Sequence, residues 1–147
     1  MTSLQKIDSF RGKHFFLSNF FPAEVTYNGL TFQNNEAAFQ AQKTFSPEEQ
    51  TAFSDLDPRT AKRRGRHVRL RTDWEDVKDG IMEDIVRAKF TQNPKLGEQL
   101  LSTGNAVLIE GNTWNDRYWG VDARSGAGKN HLGKILMKVR SELQKEK

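Results

Sequence analysis

Hydrophobic and polar residues alternate along parts of the chain in a way that predicts a few short strands. Residues 24–32 read EVTYNGLTF, and Asn28-Gly29 separates two runs of β-branched and aromatic residues, so this stretch predicts a β-hairpin. The apolar residues 15–17 predict an early extended segment, and AVLIE at residues 106–110 predicts a buried strand. The strands are short, so any sheet is small.

Helical spacing of apolar residues is clearest over residues 72–92. Thr72 and Glu75 stand at the spacing of a capping box, and Asn93-Pro94 predicts the end of the helix. Its apolar positions recur three or four residues apart and are Trp74, Val77, Ile81, Ile85 and Ala88. This segment therefore predicts the longest helix of the chain.

Shorter helices are predicted on both sides of this segment. They cover residues 35–45 after a cap at Asn34 or Asn35, residues 47–56, a short stretch between Pro58 and Gly65, and residues 95–103. A final helix begins near Asn130 and buries Leu132, Ile135, Leu136, Val139 and Leu143. The pattern predicts an α+β class, a helix-dominated single domain over residues 1–147 around a small β-sheet.

Composition narrows the functional classes. The 147 residues include no cysteine, which excludes disulfides and cysteine-based metal sites. The three histidines have no histidine or acidic neighbour at a metal-site spacing, so we predict no metal and no cofactor. No apolar run approaches the roughly 20 residues of a membrane span, and residues 1–13 lack the apolar core of a signal peptide. We expect a cytoplasmic protein that does not contact membranes.

The net charge of +4 is unevenly distributed. Residues 59–71 read RTAKRRGRHVRLR, and seven of these thirteen residues are Arg or Lys. Such a basic run attracts phosphates, although a solvated surface is the commoner explanation.

Three stretches carry candidate chemistry. In a helix over residues 35–45, Glu36, Gln40 and Lys43 would share one face and present a carboxylate, an amide and an amine, or simply an exposed polar surface. Residues 112–130 combine two tryptophans and a tyrosine with acidic and basic residues, which suits a planar ring on a sugar phosphate or a structural aromatic cluster. In LSNFFP, Asn19 requires hydrogen-bond partners if it is buried.

The glycine-rich stretch RSGAGKN at residues 124–130 does not match a triphosphate-binding loop. Ala123 stands where that motif requires its first glycine, and Asn130 stands where it requires Ser or Thr. A flexible turn before the last helix, or an anion site at that helix, remains open.

Together, several motifs resemble the YbiA-like, or NADAR, family. They are LSNF with FFP, NNEAAFQAQK, Gly65-Arg66, LRTDWEDVKDGIM, RAKFTQNP, DRYWGVD and GKNHLG, and they occur in family order over about residues 15–140. The resemblance implies a YbiA-like fold and N-glycosidase chemistry without a metal. Some members cleave ribose phosphates from amino-pyrimidine or amino-uracil intermediates of riboflavin biosynthesis, and others remove ADP-ribose from guanine.

The resemblance also implies catalytic roles. Glu36 matches the family's helix glutamate and would act as the general acid/base. Lys43 matches the lysine linked to a Schiff base with the ribose C1′, which requires an amine with a lowered pKa, and Arg66 would be a cationic neighbour that lowers it. Asp122 would handle ribose hydroxyls or water. Lys89 is a rival lysine on the long helix, and we expect it to be structural.

Substrate-binding roles follow from the same resemblance. Trp119 would stack on the base or form a pocket wall, and Phe20 would contact the substrate. The remaining residues would hold sugar and phosphate and are Asn19, Arg66, Lys129 and Asn130. Ala123-Arg124 departs from the glycine expected after the family's aspartate and adds a positive charge there.

Three functions therefore compete. The leading one is hydrolysis of a small-molecule ribose-phosphate N-glycoside from riboflavin biosynthesis. The second is removal of ADP-ribose from guanine in nucleic acid or nucleotides, with the basic run on the polyanion. The third is a non-catalytic module that binds ADP-ribose or a related nucleotide. A nucleic-acid-binding domain without enzyme activity lacks any recognised base-contacting motif.

Overall fold

A computed structural model describes residues 5–146 of the chain, and helices dominate this part of the fold. Its six helices are α1 Asn35–Ala41, α2 Pro47–Thr51, α3 Pro58–Arg64, α4 Trp74–Gln92, α5 Pro94–Ser102 and α6 His131–Lys145. Its six strands are β1 Lys6–Ile7, β2 Pro22–Tyr27, β3 Leu30–Asn34, β4 Val107–Leu108, β5 Gly111–Asn112 and β6 Val121–Asp122. The α+β class is confirmed. Within residues 5–146 the strands form three separate two-stranded sheets.

These residues fold as two compact units. The continuous unit comprises residues 19–94, and the discontinuous unit combines residues 5–18 with residues 95–146. A single domain over residues 1–147 stays a prediction. No helix among residues 5–146 is long and apolar enough to cross a membrane.

The predicted hairpin is confirmed and begins the continuous unit. Strands β2 and β3 are antiparallel, with Tyr27 opposite Leu30. The two turn residues, Asn28 and Gly29, have φ angles of 50° and 81°, which Asn and Gly adopt most readily. Helix α4 is fastened to the hairpin because Gln92 Nε2 donates to the Thr26 carbonyl at 3.0 Å.

Side chains cap the three short helices of this unit. Asn34, Ser46 and Asp57 each accept a hydrogen bond from a backbone N–H in the first turn of the helix that follows. Helix α1 nevertheless ends at Ala41, four residues before the predicted end, because Gln42 turns its Nε2 back onto the Ala38 carbonyl at 3.0 Å. The prediction for α2 was also too long, since that helix ends at Thr51.

Two details of the long-helix prediction were wrong. Helix α4 begins at Trp74 without a Thr72 capping box, because Asp73 at its N-cap forms a two-bond ion pair with Arg71 instead. The buried face is also shifted, since Val77, Ile81 and Ala88 are partly exposed. The buried residues of α4 are Trp74, Met82, Ile85, Val86, Lys89 and Phe90.

The discontinuous unit contains one strand pair between residues far apart in sequence and one between nearby residues. Strand β1 pairs with β4 in parallel, with Lys6 opposite Val107, and β5 pairs with β6 in parallel. Of the predicted strand over residues 106–110, the structure forms a strand at Val107 and Leu108. Helix α6 packs on β4, where Gly133 approaches the Leu108 carbonyl so closely that a side chain would not fit.

The expected extended segment at residues 15–17 was wrong, because these residues end a 3-10 helix, Gly12–Leu17. Its tight turns are closed by bonds such as Ser18 N–H to the Phe15 carbonyl at 2.9 Å. Phe16 and Leu17 are buried, whereas Phe15 is partly exposed. Three consecutive apolar residues do not distinguish this arrangement from a strand.

Candidate active site

Helix α1 places the candidate acid, Glu36, in the interior of the continuous unit. All seven residues of the helix are buried, and the Glu36 side chain retains little exposure. Its backbone N–H donates to the Asn19 carbonyl at 3.0 Å, and its Oε2 accepts a hydrogen bond from Gln40 Nε2 at 2.7 Å. The neutral amide of Gln40, one helical turn away, therefore fixes the position of this carboxylate oxygen.

Lys43 lies in the turn that follows α1 rather than on the helix. Its side chain is half-buried, and its Nζ lies 5.9 Å from the centroid of the Trp74 ring. Trp74 packs in turn on Phe39, with 5.1 Å between the ring centroids. The lysine amine thus projects over an aromatic surface that removes water from one of its sides.

The pKa of Lys43 is lowered from its ordinary value. Burial is the largest cause, because an ammonium group loses hydration there. The negative charge of Glu36 opposes the shift, and the positive charges of Arg66, Lys78 and Lys62 add to it. The expected cationic influence of Arg66 on Lys43 is therefore present, although burial outweighs it.

Arg71 fixes the turn that carries Lys43. Its backbone N–H donates to the Lys43 carbonyl at 2.7 Å, and its guanidinium binds both carboxylate oxygens of Asp73, at 2.6 and 3.0 Å. Sequence reasoning treated Arg71 as one charge of the basic run. No local pattern separates an arginine that bonds to a distant turn from one that faces solvent.

Asn19 is buried, and it has the hydrogen-bond partners that a buried asparagine requires. Its Nδ2 lies 3.5 Å from Met82 Sδ, and its Oδ1 accepts from Asn35 Nδ2 at 3.5 Å. Phe20 follows directly and is partly exposed. Five predicted site residues therefore belong to the continuous unit, which are Asn19, Phe20, Glu36, Lys43 and Arg66.

The rival lysine, Lys89, occupies a different environment in the same unit. Its side chain is 1% exposed on α4, with its Nζ 5.5 Å from the Phe21 ring centroid and 5.0 Å from that of Phe90. Burial lowers the pKa of Lys89 to about 7. Its structural role stays a prediction.

The other predicted site residues belong to the discontinuous unit, where a hydrogen-bond network shapes residues 112–119. Asn112 is buried, donates to Glu110 Oε2 at 2.7 Å and accepts from the Asp116 N–H at 3.0 Å. Asp116 accepts from the backbone N–H groups of Tyr118 and Trp119. Sequence reasoning included Asp116 in the candidate stretch without a specific role and did not single out Asn112, although short Asn and Asp side chains that bond nearby backbone are common in loops.

Trp119 and Lys129 share an aromatic cluster within this unit. Trp119 meets Tyr118 edge-on at 4.9 Å between centroids, and Tyr118 lies 4.4 Å from the His131 ring. Lys129 Nζ lies 5.6 Å from the Tyr118 ring centroid. This loop therefore presents a cation beside a cluster of aromatic rings, which suits a phosphate attached to a planar group.

Asp122 and Asn130 make bonds that stabilise the glycine-rich loop. Asp122 accepts from the Ser125 N–H at 3.0 Å, and hydrogen bonds from the side chain and the backbone of Ser125 lower the pKa of Asp122, so the carboxylate stays ionised. Asn130 adopts a left-handed conformation, accepts from the Glu110 N–H and donates to the Leu108 carbonyl. No group of three or more metal-binding side chains lies together within residues 5–146.

Comparison with known proteins supplies the family. A family profile described as NADAR domain matches residues 8–144. The chain belongs to the NADAR family. The resemblance found in the short motifs is therefore confirmed over nearly the whole sequence.

Named relatives agree with this assignment. N-glycosidase YbiA of Escherichia coli is 41% identical over 133 residues, which are 88% of this chain and 82% of that protein. A riboflavin biosynthesis protein of Vibrio vulnificus is 40% identical over 134 residues, 89% of this chain but 36% of that protein. This chain thus spans about a third of the Vibrio protein. The N-glycosidase YbiA relative confirms the predicted enzyme class, a hydrolase acting on N-glycosyl compounds.

A solved structure supports the fold. The NMR structure of the Escherichia coli protein YbiA matches 99% of this chain and 89% of that chain, with a TM-score of 0.85 and 36% identity. The expected YbiA-like fold is therefore confirmed.

Proposed function

We propose that the protein hydrolyses the C–N bond between a ribose phosphate and an amino-pyrimidine or amino-uracil. The observation that carries this proposal is Lys43, a half-buried amine whose pKa is lowered and which interacts electrostatically with Glu36. A nucleophilic lysine requires such a lowered pKa, because only the neutral amine attacks carbon. The riboflavin biosynthesis name of the Vibrio vulnificus relative supports this substrate class.

In the proposed mechanism, the amino-glycoside opens its ribose ring to an imine at C1′. The neutral Nζ of Lys43 adds to C1′, and Glu36 delivers a proton to the departing nitrogen as the original C–N bond breaks. The product is a lysine imine and a free amine. Water then adds to this imine, and its collapse releases ribose phosphate and regenerates the lysine.

We propose substrate contacts for residues of each unit considered by itself. In the continuous unit, the exposed guanidinium of Arg66 binds phosphate, and Asn19 and Phe20 contact the sugar and ring. In the discontinuous unit, Trp119 and Lys129 provide stacking and phosphate contacts, and Asp122 handles ribose hydroxyls or water. Because both amide atoms of Asn130 bond to backbone groups, we assign it to shaping the loop through which Lys129 acts.

A second candidate is removal of ADP-ribose from guanine in nucleic acid. The observation that favours it is exposure along the basic run, where Arg59, Arg63, Arg64, Arg66 and Arg69 all face solvent. Exposed guanidinium groups at this density bind a phosphate backbone, and their binding weakens steeply with salt. The same Lys43 and Glu36 chemistry would serve this reaction.

A turnover assay on both substrates tests these proposals. Purified protein is given an amino-uracil ribose phosphate or ADP-ribosylated guanine in DNA, and product release is followed by liquid chromatography. Release of ribose phosphate from the first supports the leading proposal, and release of ADP-ribose from the second alone supports the alternative. Binding without turnover of either substrate would contradict both and favour a binding module.

Variants connect the assay to the residues. Lys43→Ala and Glu36→Gln are expected to lose turnover, whereas Lys134→Ala, which alters an exposed lysine of α6, serves as the matched control. A fully active Lys43→Ala would overturn the proposed mechanism.

A further inference from the structure

Gln40 has a side chain whose orientation is set by Glu36. The residue is 5% exposed and lies one helical turn after Glu36, and its Nε2 donates to Glu36 Oε2 at 2.7 Å. A hydrogen bond from a neutral donor to a buried carboxylate oxygen holds that oxygen in one place and favours the ionised form.

The other end of the same amide has no donor. The buried Oε1 of Gln40 accepts no hydrogen bond from any atom of residues 5–146. A buried acceptor in this state is unfavourable, because it has lost the hydrogen bonds that water provided. Rotating the amide by 180° would place Oε1 against the carboxylate oxygen of Glu36, so the observed orientation satisfies Glu36 at the expense of Gln40.

Gly65 leaves the space that this orientation requires. A Cβ at residue 65 would lie inside contact distance of Gln40 Oε1 and 2.7 Å from its Cδ. The backbone of Gly65 has φ −60° and ψ −19°, which every amino acid adopts readily. The absence of a side chain at this position is therefore explained by the Gln40 amide and not by the backbone.

We propose that Gln40, seated against Gly65, is a positioning residue that fixes the Glu36 carboxylate for proton transfer. This inference rests on the proposed role of Glu36 as the general acid/base. Because the charge of Glu36 also acts on the pKa of Lys43, a fixed carboxylate sets the proton equilibria of both groups. The inference concerns orientation and charge, since Gln40 itself need not touch the substrate.

The first test is Gln40→Leu, which keeps a similar volume but removes both the donor and the unsatisfied acceptor. We expect kcat to fall about 10- to 100-fold with KM nearly unchanged, because one hydrogen bond to a reacting group is lost. The limb of the pH–rate profile that reports Glu36, as distinct from the one that reports Lys43, should move to higher pH, since a carboxylate without this donor holds its proton more tightly.

A purely structural role gives a different result. In that case Gln40→Leu would lower the melting temperature and leave the pH–rate profile in place. That outcome, or wild-type kcat with a wild-type profile, would overturn the proposal.

A double-mutant cycle tests the part played by Gly65. Gly65→Ala should lower kcat in the wild type but add little in Gln40→Ala, where the space beside residue 65 is vacant. Gly80→Ala is the matched control, because a Cβ at this exposed position of α4 meets nothing within 4 Å. Equal effects of Gly65→Ala in both backgrounds would contradict the proposed contact.

A measurement independent of turnover separates this inference from the proposed function. The carboxyl carbon of Glu36, labelled with ¹³C and assigned through Glu36→Gln, is followed by NMR during a pH titration. We expect its midpoint to rise in Gln40→Leu whether or not the protein cleaves the substrates assayed. An unchanged midpoint would overturn the positioning role while leaving the proposed function intact.

Discussion

Lys43 and Lys89 both have a pKa below that of an ordinary lysine, but their surroundings differ. Lys43 is half-buried in the turn after α1, and its pKa responds to the charges of Glu36 and Arg66 as well as to burial. Lys89 is 1% exposed on α4, and burial lowers its pKa to about 7. A lowered lysine pKa is therefore a consequence of burial and does not by itself identify a nucleophile.

The difference lies in what a reaction requires besides a neutral amine. A Schiff-base lysine must receive and release protons, which calls for a titratable partner, and it must be reached by the substrate. Lys43 has the carboxylate of Glu36 in its electrostatic environment and a partly exposed side chain. Lys89 is enclosed next to the rings of Phe21 and Phe90. These features support the proposal that Lys43 is the catalytic lysine and that Lys89 serves in packing.

The largest expected effect separates the two lysines by activity. Lys43→Ala should lower kcat by on the order of 10⁴-fold, because it removes the proposed nucleophile. Lys89→Met, which keeps the apolar stem, should retain kcat within about tenfold. Steady-state turnover of the N-glycoside measures both, and circular dichroism controls for folding. A folded Lys89→Met as inactive as Lys43→Ala would reverse the assignment.

Trapping of the imine makes the same comparison chemically. Reduction with cyanoborohydride during turnover should leave a ribose-phosphate adduct on the tryptic peptide that contains Lys43, in the wild type and in Lys89→Met. Lys43→Arg should show none. An adduct on Lys89 in the wild type would refute the comparison, whatever the kinetics.

A smaller effect is expected on stability. The pKa of Lys89 is about 7 in the fold and near 10.5 as an ordinary lysine, so between these values the unfolded chain binds more protons. The free energy of unfolding should therefore gain a contribution that rises by up to ~1.4 kcal/mol per pH unit over this window. The Lys89→Met variant should lack this pH-dependent contribution to the free energy of unfolding.

Urea unfolding at pH 7, 8.5 and 10 measures the slope. Lys138→Met, at an exposed position of α6, is the control and should keep the wild-type slope. If Lys89→Met and the wild type show parallel stability curves, burial has not depressed the pKa of Lys89.

The smallest expected effect concerns the neighbours of Lys43. Activity should rise with pH as the Lys43 amine loses its proton. Arg66→Gln removes a positive charge that lowers the pKa of Lys43. This variant should therefore move the rising limb of the pH–rate profile to higher pH, by less than about one unit. Lys62→Gln should move it in the same direction but less, because Lys62 is the weaker influence.

Glu36→Gln provides the opposite control for this experiment. It removes the charge that raises the pKa of Lys43, so the limb of its residual activity should move to lower pH. A common direction for Arg66→Gln and Glu36→Gln would show that the limb does not belong to Lys43.

Local chemistry explains which parts of the fold could be predicted from the sequence. The Asn28-Gly29 turn and the caps at Ser46 and Asp57 involve neighbouring residues, so the local sequence is sufficient. The capping box at Thr72 failed because Asp73 binds Arg71. The predicted end of α1 was wrong as well, because the Gln42 side chain and the hydrogen bond from the Arg71 N–H to the Lys43 carbonyl favour a turn after Ala41.

The sequence motifs identify the candidate residues of the site, but they do not predict the environment of each residue. Glu36 and Lys43 stand in a recognisable motif, yet their burial and the shift in the pKa of Lys43 depend on packing against Trp74. Gly65 belongs to the Gly65-Arg66 motif, but the sequence around it does not explain why a glycine stands there. Its closeness to the Gln40 amide is a contact between α1 and the end of α3 that sequence spacing does not encode.

The division into a continuous and a discontinuous unit has a consequence for synthesis on the ribosome. Residues 19–94 contain their hairpin, their helix caps and their buried helix, so these contacts do not require residues synthesised after residue 94. Strand β1, by contrast, pairs with Val107 and Leu108, which are synthesised about 100 residues later. Strand β1 therefore cannot pair until the whole region that carries Glu36 and Lys43 has been synthesised.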